Sequence, residues 1–160
     1  MRIRRTITAA VATLALSGAG LAAAGPAMAD TPVNVAATVN STISVAGLTG
    51  SIALAGNPGS TATNANAEAY KVTTNNATGY TVSVQQSANT LQGPGNPIPN
   101  TNLAINGGHF VQGSNLTVHA TNAPSAINGD NLTDGWSLDI PAGQAAGSYT
   151  GSFTYLVVAN

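Results

Sequence analysis

Cysteine is absent from this 160-residue chain, and with it every disulfide, thiolate metal site and acylated lipobox. Charge is almost as scarce: four basic and five acidic residues make up 6% of the chain, too few for the Lys/Arg clusters that nucleic-acid phosphates demand. Only one lysine is present, Lys71 after Tyr70, so no Gly-Lys-Ser/Thr phosphate loop can be built. There is no G-x-S-x-G nucleophile elbow. Two histidines alone, His109 and His119, make a poor zinc site and leave a hydrolase short of an oriented base.

The N-terminus has what a secretory leader needs. Arg2, Arg4 and Arg5 form a positive region, Ile7 to Leu21 is an uncharged Ala/Leu-rich run, and Gly25-Pro26 precedes the small-residue triplet Ala27-Met28-Ala29. That order is what a signal peptidase reads, with cleavage expected after Ala29. A retained membrane anchor would need roughly 20 apolar residues, more than this run supplies. Cleavage leaves Lys71 as the one cation against Asp30, Glu68, Asp130, Asp134 and Asp139. Such a surface does not suit anionic lipid headgroups, so no membrane insertion is expected after processing. Residues 1–29 are therefore read as a signal peptide and 30–160 as one domain, long enough to bury a core without staples.

From Asp30 onward the apolar period is two. Val33, Val35 and Val39 open the pattern, followed by Ile43 and Val45, then Ile52 and Leu54. Tyr70-Val72-Thr74 and Tyr80-Val82-Val84 flank a turn over Asn75–Gly79. Leu103-Ile105, Leu116-Val118 and Trp136-Leu138-Ile140 follow. The last run, Tyr149 to Val157, reads as the longest strand. Alternation over short runs is the mark of half-buried strands. The connectors (Asn57-Pro58-Gly59, Gly93–Pro97, Asn106-Gly107-Gly108, Asn128-Gly129-Asp130, Pro141-Ala142-Gly143) are turn chemistry. Ser60–Ala69 is Ala- and Asn-rich, which allows one helical turn, but its Thr and Asn favour a loop. The expectation is all-β: a single antiparallel β-sandwich of Ig-like, Greek-key type with eight or so strands. Its inward Val, Ile and Leu side chains contribute roughly 1.5–3 kcal/mol each.

Candidate chemistry is sparse. His119 alternates with Leu116 and Val118 and is expected on the solvated face; His109 sits at a turn entering a strand. Asp130 to Gly135 places two aspartates four apart before a glycine, but Leu132 occupies a calcium-ligand position and no glutamate follows, so a polar turn is expected. Asn40, Asn76, Asn115 and Asn131 begin N-x-S/T sequons, relevant only in a eukaryotic secretory pathway. Trp136 and the tyrosines fall in phase with aliphatic neighbours and are expected in the core rather than on a sugar-binding face. No catalytic, cofactor-binding or metal-binding residue is assigned, and no enzyme is expected.

Two stretches resemble a known family. Thr78-Gly79-Tyr80-Thr81-Val82-Ser83-Val84 is similar to the first element of WxL-type cell-surface domains. Ile140-Pro141-Ala142-Gly143 leading into Gly147–Tyr155 is similar to their C-terminal strand pair. Tyr80 and Tyr155 stand where that family has tryptophan, and Trp136-Ser137-Leu138 spells W-x-L between the two places. The resemblance implies a secreted β-sandwich of Gram-positive bacteria, held non-covalently at the cell wall. Its partners would be wall polymer or another surface protein. The end of the sequence, Val157-Val158-Ala159-Asn160, carries no covalent sorting motif. The leading expectation is a structural or interaction module of the bacterial exterior. The alternatives are a subunit that self-associates by strand addition through Val33–Val45, and a small secreted hydrolase or inhibitor.

Overall fold

The structure is a computed structural model that describes residues 34–160; the signal peptide expected over 1–29 lies outside the described residues. Asn34–Ala37 belong to a separate N-terminal unit, are exposed and form no strand. The unit Thr38–Asn160 holds ten strands: β1 (Ile43–Ala46), β2 (Thr61–Thr74), β3 (Tyr80–Gln86), β4 (Thr90–Leu91), β5 (Ile98–Pro99), β6 (Leu103–Ile105), β7 (Gly108–His109), β8 (Leu116–Ala120), β9 (Asp130–Asp139) and β10 (Phe153–Ala159). One short 3-10 turn, Asn100–Asn102, precedes β6.

Every strand pairing is antiparallel. Five strands form one sheet in the order β1-β2-β9-β6-β7, three form a second in the order β10-β3-β8, and β4-β5 is a separate hairpin. The two larger sheets make the expected antiparallel sandwich. Chain-adjacent strands β2 and β3, β8 and β9, and β9 and β10 lie in different sheets, so the chain crosses repeatedly between layers. Val82 and Val84 of β3 and Val72, Leu103, Ile105, Trp136 and Leu138 of the five-stranded sheet are buried, as period-two alternation requires of inward positions.

The core divides in two. A larger cluster gathers Leu91, Ile98, Leu103, Ile105, Phe110, Trp136, Leu138 and Val84. A smaller one gathers Tyr70, Val72, Tyr80 and Val82, with Leu132 and Ile43 against it. Along β9 the inward positions run Leu132, Asp134, Trp136, Leu138, so a buried carboxylate stands at the boundary between the clusters.

Four expectations are corrected. Ser60–Ala69 is no loop: from Thr61 onward it is the first part of β2, the longest strand at 14 residues, and Ser60 is the bend that precedes it. Its Ala/Asn-rich sequence has no clean alternation because the β2–β9 register shifts between Asn64 and Glu68, where Ala65, Asn66 and Ala67 lie across from Gly135 alone. Asp130–Gly135 is not a turn but the first part of β9. No strand covers residues 34–42, and Val35 and Val39 are 89% and 83% exposed; Ile52 and Leu54 lie in a loop whose side chains pack on the larger cluster. The last strand begins at Phe153, with Tyr149 before it and Thr150 held only by a bridge to Gln92.

Candidate functional site

Two features carry the polar and open chemistry of the domain, and they adjoin at Glu68, Trp136 and Tyr155. The first is a buried polar cluster centred on Asp134, whose side chain is fully enclosed. Tyr70 on β2 donates its hydroxyl to Asp134 Oδ2 at 3.1 Å, Asn106 Nδ2 donates to Oδ1 at 2.7 Å, and His119 Nε2 lies 2.7 Å from the same oxygen. A buried carboxylate is tolerated only when its lone pairs are occupied, and here both oxygens have partners.

Local sequence explains how those partners converge. Asn106-Gly107 is the two-residue link between β6 and β7, and both residues have positive φ (50° and 83°), the primed turn that matches strand twist. That turn places Asn106 against β9: its N–H donates to the Gly135 carbonyl at 2.9 Å and its Oδ1 accepts the Gly135 N–H at 2.9 Å. His119 arrives by a bulge. On β3, Val82 pairs with His119 and Ser83 with Thr117, which leaves Val118 as an extra residue. The bulge reverses the side-chain phase, so His119 shares the inward face with Leu116 and stays only a quarter exposed. The solvated position expected from simple alternation is thereby corrected. His109 lies on β7, exposed, with Nδ1 at 3.2 Å from the Thr101 carbonyl, and belongs to neither feature.

Glu68, 3% exposed, pairs directly across from Asp134 and accepts from the Thr49 N–H at 2.6 Å and the Thr49 hydroxyl at 2.9 Å. It thereby ties the loop after β1 to β2. Burial, then the Asp134 charge and hydrogen bond, push the Tyr70 phenol far above its ordinary range. Tyr155 is also raised, chiefly by burial; its hydroxyl accepts from Trp136 Nε1 at 3.2 Å, and its ring meets that of Tyr70 edge-on at 5.3 Å. At the other end of β9, Tyr80 donates to Asp130 Oδ2 at 2.8 Å, and burial followed by that bond raises its phenol to about 12. The two aspartates once compared to a calcium loop thus serve different tyrosines, and no group of three metal-ligating side chains gathers among the described residues.

The second feature is an open crevice of about 600 Å³ on the side of the sandwich. The loop after β1 supplies Leu48, Ile52 and Leu54, the approach to β10 supplies Tyr149 and Gly151, and Trp136 and Glu68 line the inner part. Its walls are mostly apolar, as ligand clefts are. It lies beside a strand edge that has no partner among the described residues: β10 is the terminal strand of its sheet and, among them, pairs only with β3. The Ser87 N–H donates to the Ser152 carbonyl and the Asn160 N–H to the Gly79 carbonyl, so even-numbered residues of this stretch bond toward β3. Antiparallel alternation then directs the N–H and C=O of Gly151, Phe153 and Tyr155 away from β3, along the crevice. Farther on, Val157 and Ile43 of β1 pack on the same core cluster, where the two sheets draw together.

Sequence reasoning placed Trp136, Tyr70 and Tyr80 in the core, where the structure has them. It missed the Asp134 cluster and the crevice. The nearest signal for the cluster was Asp134 in phase with Leu132, Trp136 and Leu138, which on a strand marks an inward carboxylate.

No curated protein and no solved structure matches this chain. Residues 25–159 match the model of DUF4402, a domain of unknown function, and since that match spans most of the sequence the chain belongs to the DUF4402 family.

Proposed function

We propose that this is a secreted, non-enzymatic interaction module of the bacterial exterior, and that a surface partner docks an extended polypeptide segment along the crevice beside β10. The observation that carries this reading is the juxtaposition of an apolar crevice with strand-edge N–H and C=O groups that have no pairing strand among the described residues. Such an edge gives main-chain hydrogen bonds, and pockets beside it accept alternate side chains. The N-terminal charge, apolar run and A-x-A site support export. The β3 and β10 stretches that resemble WxL-type domains are hydrogen-bonded neighbours, with Tyr155 opposite Val84, which suits a related sandwich held at the wall without a covalent link.

A non-enzymatic role fits the chemistry of the polar cluster. His119 spends Nε2 on Asp134, and no serine, threonine or lysine side chain hydrogen-bonds the imidazole among the described residues. An oriented base with no nucleophile beside it does not make a hydrolase.

The test is fractionation of producing cells, with mass spectrometry of the processed chain and sedimentation of the purified protein with isolated walls at low and high salt. The expected result is an N-terminus at Asp30 and protein that pellets with walls, with pelleting lost in Leu48→Glu while the circular dichroism spectrum is kept. A chain found only in the medium, with no wall affinity, would refute wall association.

A further inference from the structure

Resting on that reading of the crevice, we infer that the segment it receives is the N-terminal arm of a second copy of this chain, Val33–Val39, added as a strand to the free edge of β10. The arm has the required pattern. Val33, Val35, Ala37 and Val39 recur at period two, with Asn34, Ala36 and Thr38 between them, and no charge occurs from Thr31 to Val39. A strand so patterned turns its apolar side chains to one face.

The described part of the arm is unsatisfied where it stands. Val35 and Val39 are among the most exposed large apolar residues of the chain, and no strand hydrogen bonds engage residues 34–42. Sequence just beyond the arm behaves differently: Ile43–Ala46 is already committed to β2 as β1, with Ile43 opposite Thr74. The donated segment therefore stops short of Ile43, and the earlier expectation of strand addition by Val33–Val45 narrows to Val33–Val39.

The acceptor complements it. Seven residues extend about 23 Å as a strand, enough to pass the edge from Gly151 to Tyr155 with a residue to spare at each end. The Val and Ala side chains would enter a crevice walled by Leu48, Ile52, Leu54 and Tyr149, while arm amides and carbonyls meet those of Gly151, Phe153 and Tyr155. Neither partner brings a cation, so no salt bridge sets the pairing; it is apolar burial plus ladder hydrogen bonds. Each copy then carries one donor and one acceptor. That is a head-to-tail interface, which yields open chains unless its rotation closes a ring.

The absence of cysteine makes the test clean. Full-length chain is exported, purified in two single-cysteine forms, Ala36→Cys on the arm and Thr154→Cys on the outer face of β10, and mixed in a glutathione redox buffer; Ser152→Cys provides a second register. Heterodimer in several-fold excess over either homodimer is expected, together with a sedimentation mass that rises with concentration. Both should vanish in a Val35→Asp, Val39→Asp chain. The inference is overturned by a one-copy mass at every concentration without heterodimer. It is equally overturned if a chain carrying both cysteines closes only on itself at high dilution, which would make the arm an intramolecular strand. Leu48→Glu separates this inference from the reading beneath it. If the wild-type chain is a monomer yet Leu48→Glu abolishes wall retention, the crevice serves a different surface protein and only the inference fails. If Leu48→Glu alters neither retention nor mass, both fail.

Discussion

Replacing Asp134 by alanine should cost this domain about 3–4 kcal/mol, and the figure can be assembled from its neighbours. The substitution removes the acceptor for Tyr70 Oη, Asn106 Nδ2 and His119 Nε2. Tyr70 is buried, and its hydroxyl makes no other hydrogen bond among the described residues, so it bears the full penalty of an orphaned donor, about 1–3 kcal/mol. His119 is a quarter exposed and recovers part of its loss from water; Asn106 is exposed and recovers most of it. Relief of the carboxylate's own desolvation offsets some of the sum, which places the total near that of other broken buried pairs. Urea unfolding followed by Trp136 fluorescence measures it, with an unchanged m-value showing that the change lies in stability. A double-mutant cycle sharpens the point. Tyr70→Phe alone should cost about 1 kcal/mol or more, and in the Asp134→Ala background it should cost nothing or stabilise, because the orphaned hydroxyl leaves with it. An Asp134→Ala loss below about 1 kcal/mol, or strict additivity with Tyr70→Phe, would refute the cluster as a coupled unit.

Other expectations follow from the same packing. Trp136→Ala should cost on the order of 3–5 kcal/mol, since the ring is 4% exposed and sits 5.2 Å from Phe153 and 6.0 Å from Phe110; a loss under about 1 kcal/mol by urea melt would move it out of the core. Gly79→Ala should lower the melting temperature sharply, because φ is +86° and an added Cβ would strike the Thr121 carbonyl; an unchanged melting curve would contradict that turn. Alkali should destabilise the fold. Tyr80 holds its proton more tightly folded than unfolded, so its contribution is intact below pH 10 and is lost as pH rises from 10 toward 12, at roughly 1.4 kcal/mol per pH unit. Tyr80→Phe should flatten the stability profile in that window, and an identical profile would show that Tyr80 ionises as freely in the fold as out of it.

Much of the sandwich is legible in the sequence where alternation is unbroken. Tyr80-Val82-Val84, Leu103-Ile105 and Trp136-Leu138 fall on inward positions of β3, β6 and β9 because nothing interrupts their period. Reading fails where a bulge inserts a residue. At Val118 the phase reverses, which moves His119 from the expected outer face to the Asp134 cluster. Between Asn64 and Glu68 three residues face Gly135, so a 14-residue strand lacks the pattern that would reveal it. Bulges depend on the partner strand, and a single sequence carries no record of pairing. The reverse error occurs at Val33–Val39, where alternation is clear but its described residues have no strand to pair with. The crevice is invisible for another reason: the loop Leu48–Leu54 and the approach to β10 are about 100 residues apart, and only tertiary contact brings them together.

The carboxylate between the two core clusters also bears on how the molecule finds its fold. Asp134 draws its partners from β2, β8 and the β6–β7 turn, at separations of 64, 15 and 28 residues. No single hairpin can satisfy it. A half-assembled molecule with one sheet formed would bury an ion with too few donors, or leave it in water and hold the sheets apart. Apolar side chains reward almost any collapse, whereas this group rewards only the arrangement in which three distant pieces of chain arrive together. It acts as a checkpoint on assembly: a misregistered sandwich with equally good oil would still be rejected for lack of a place to put one negative charge.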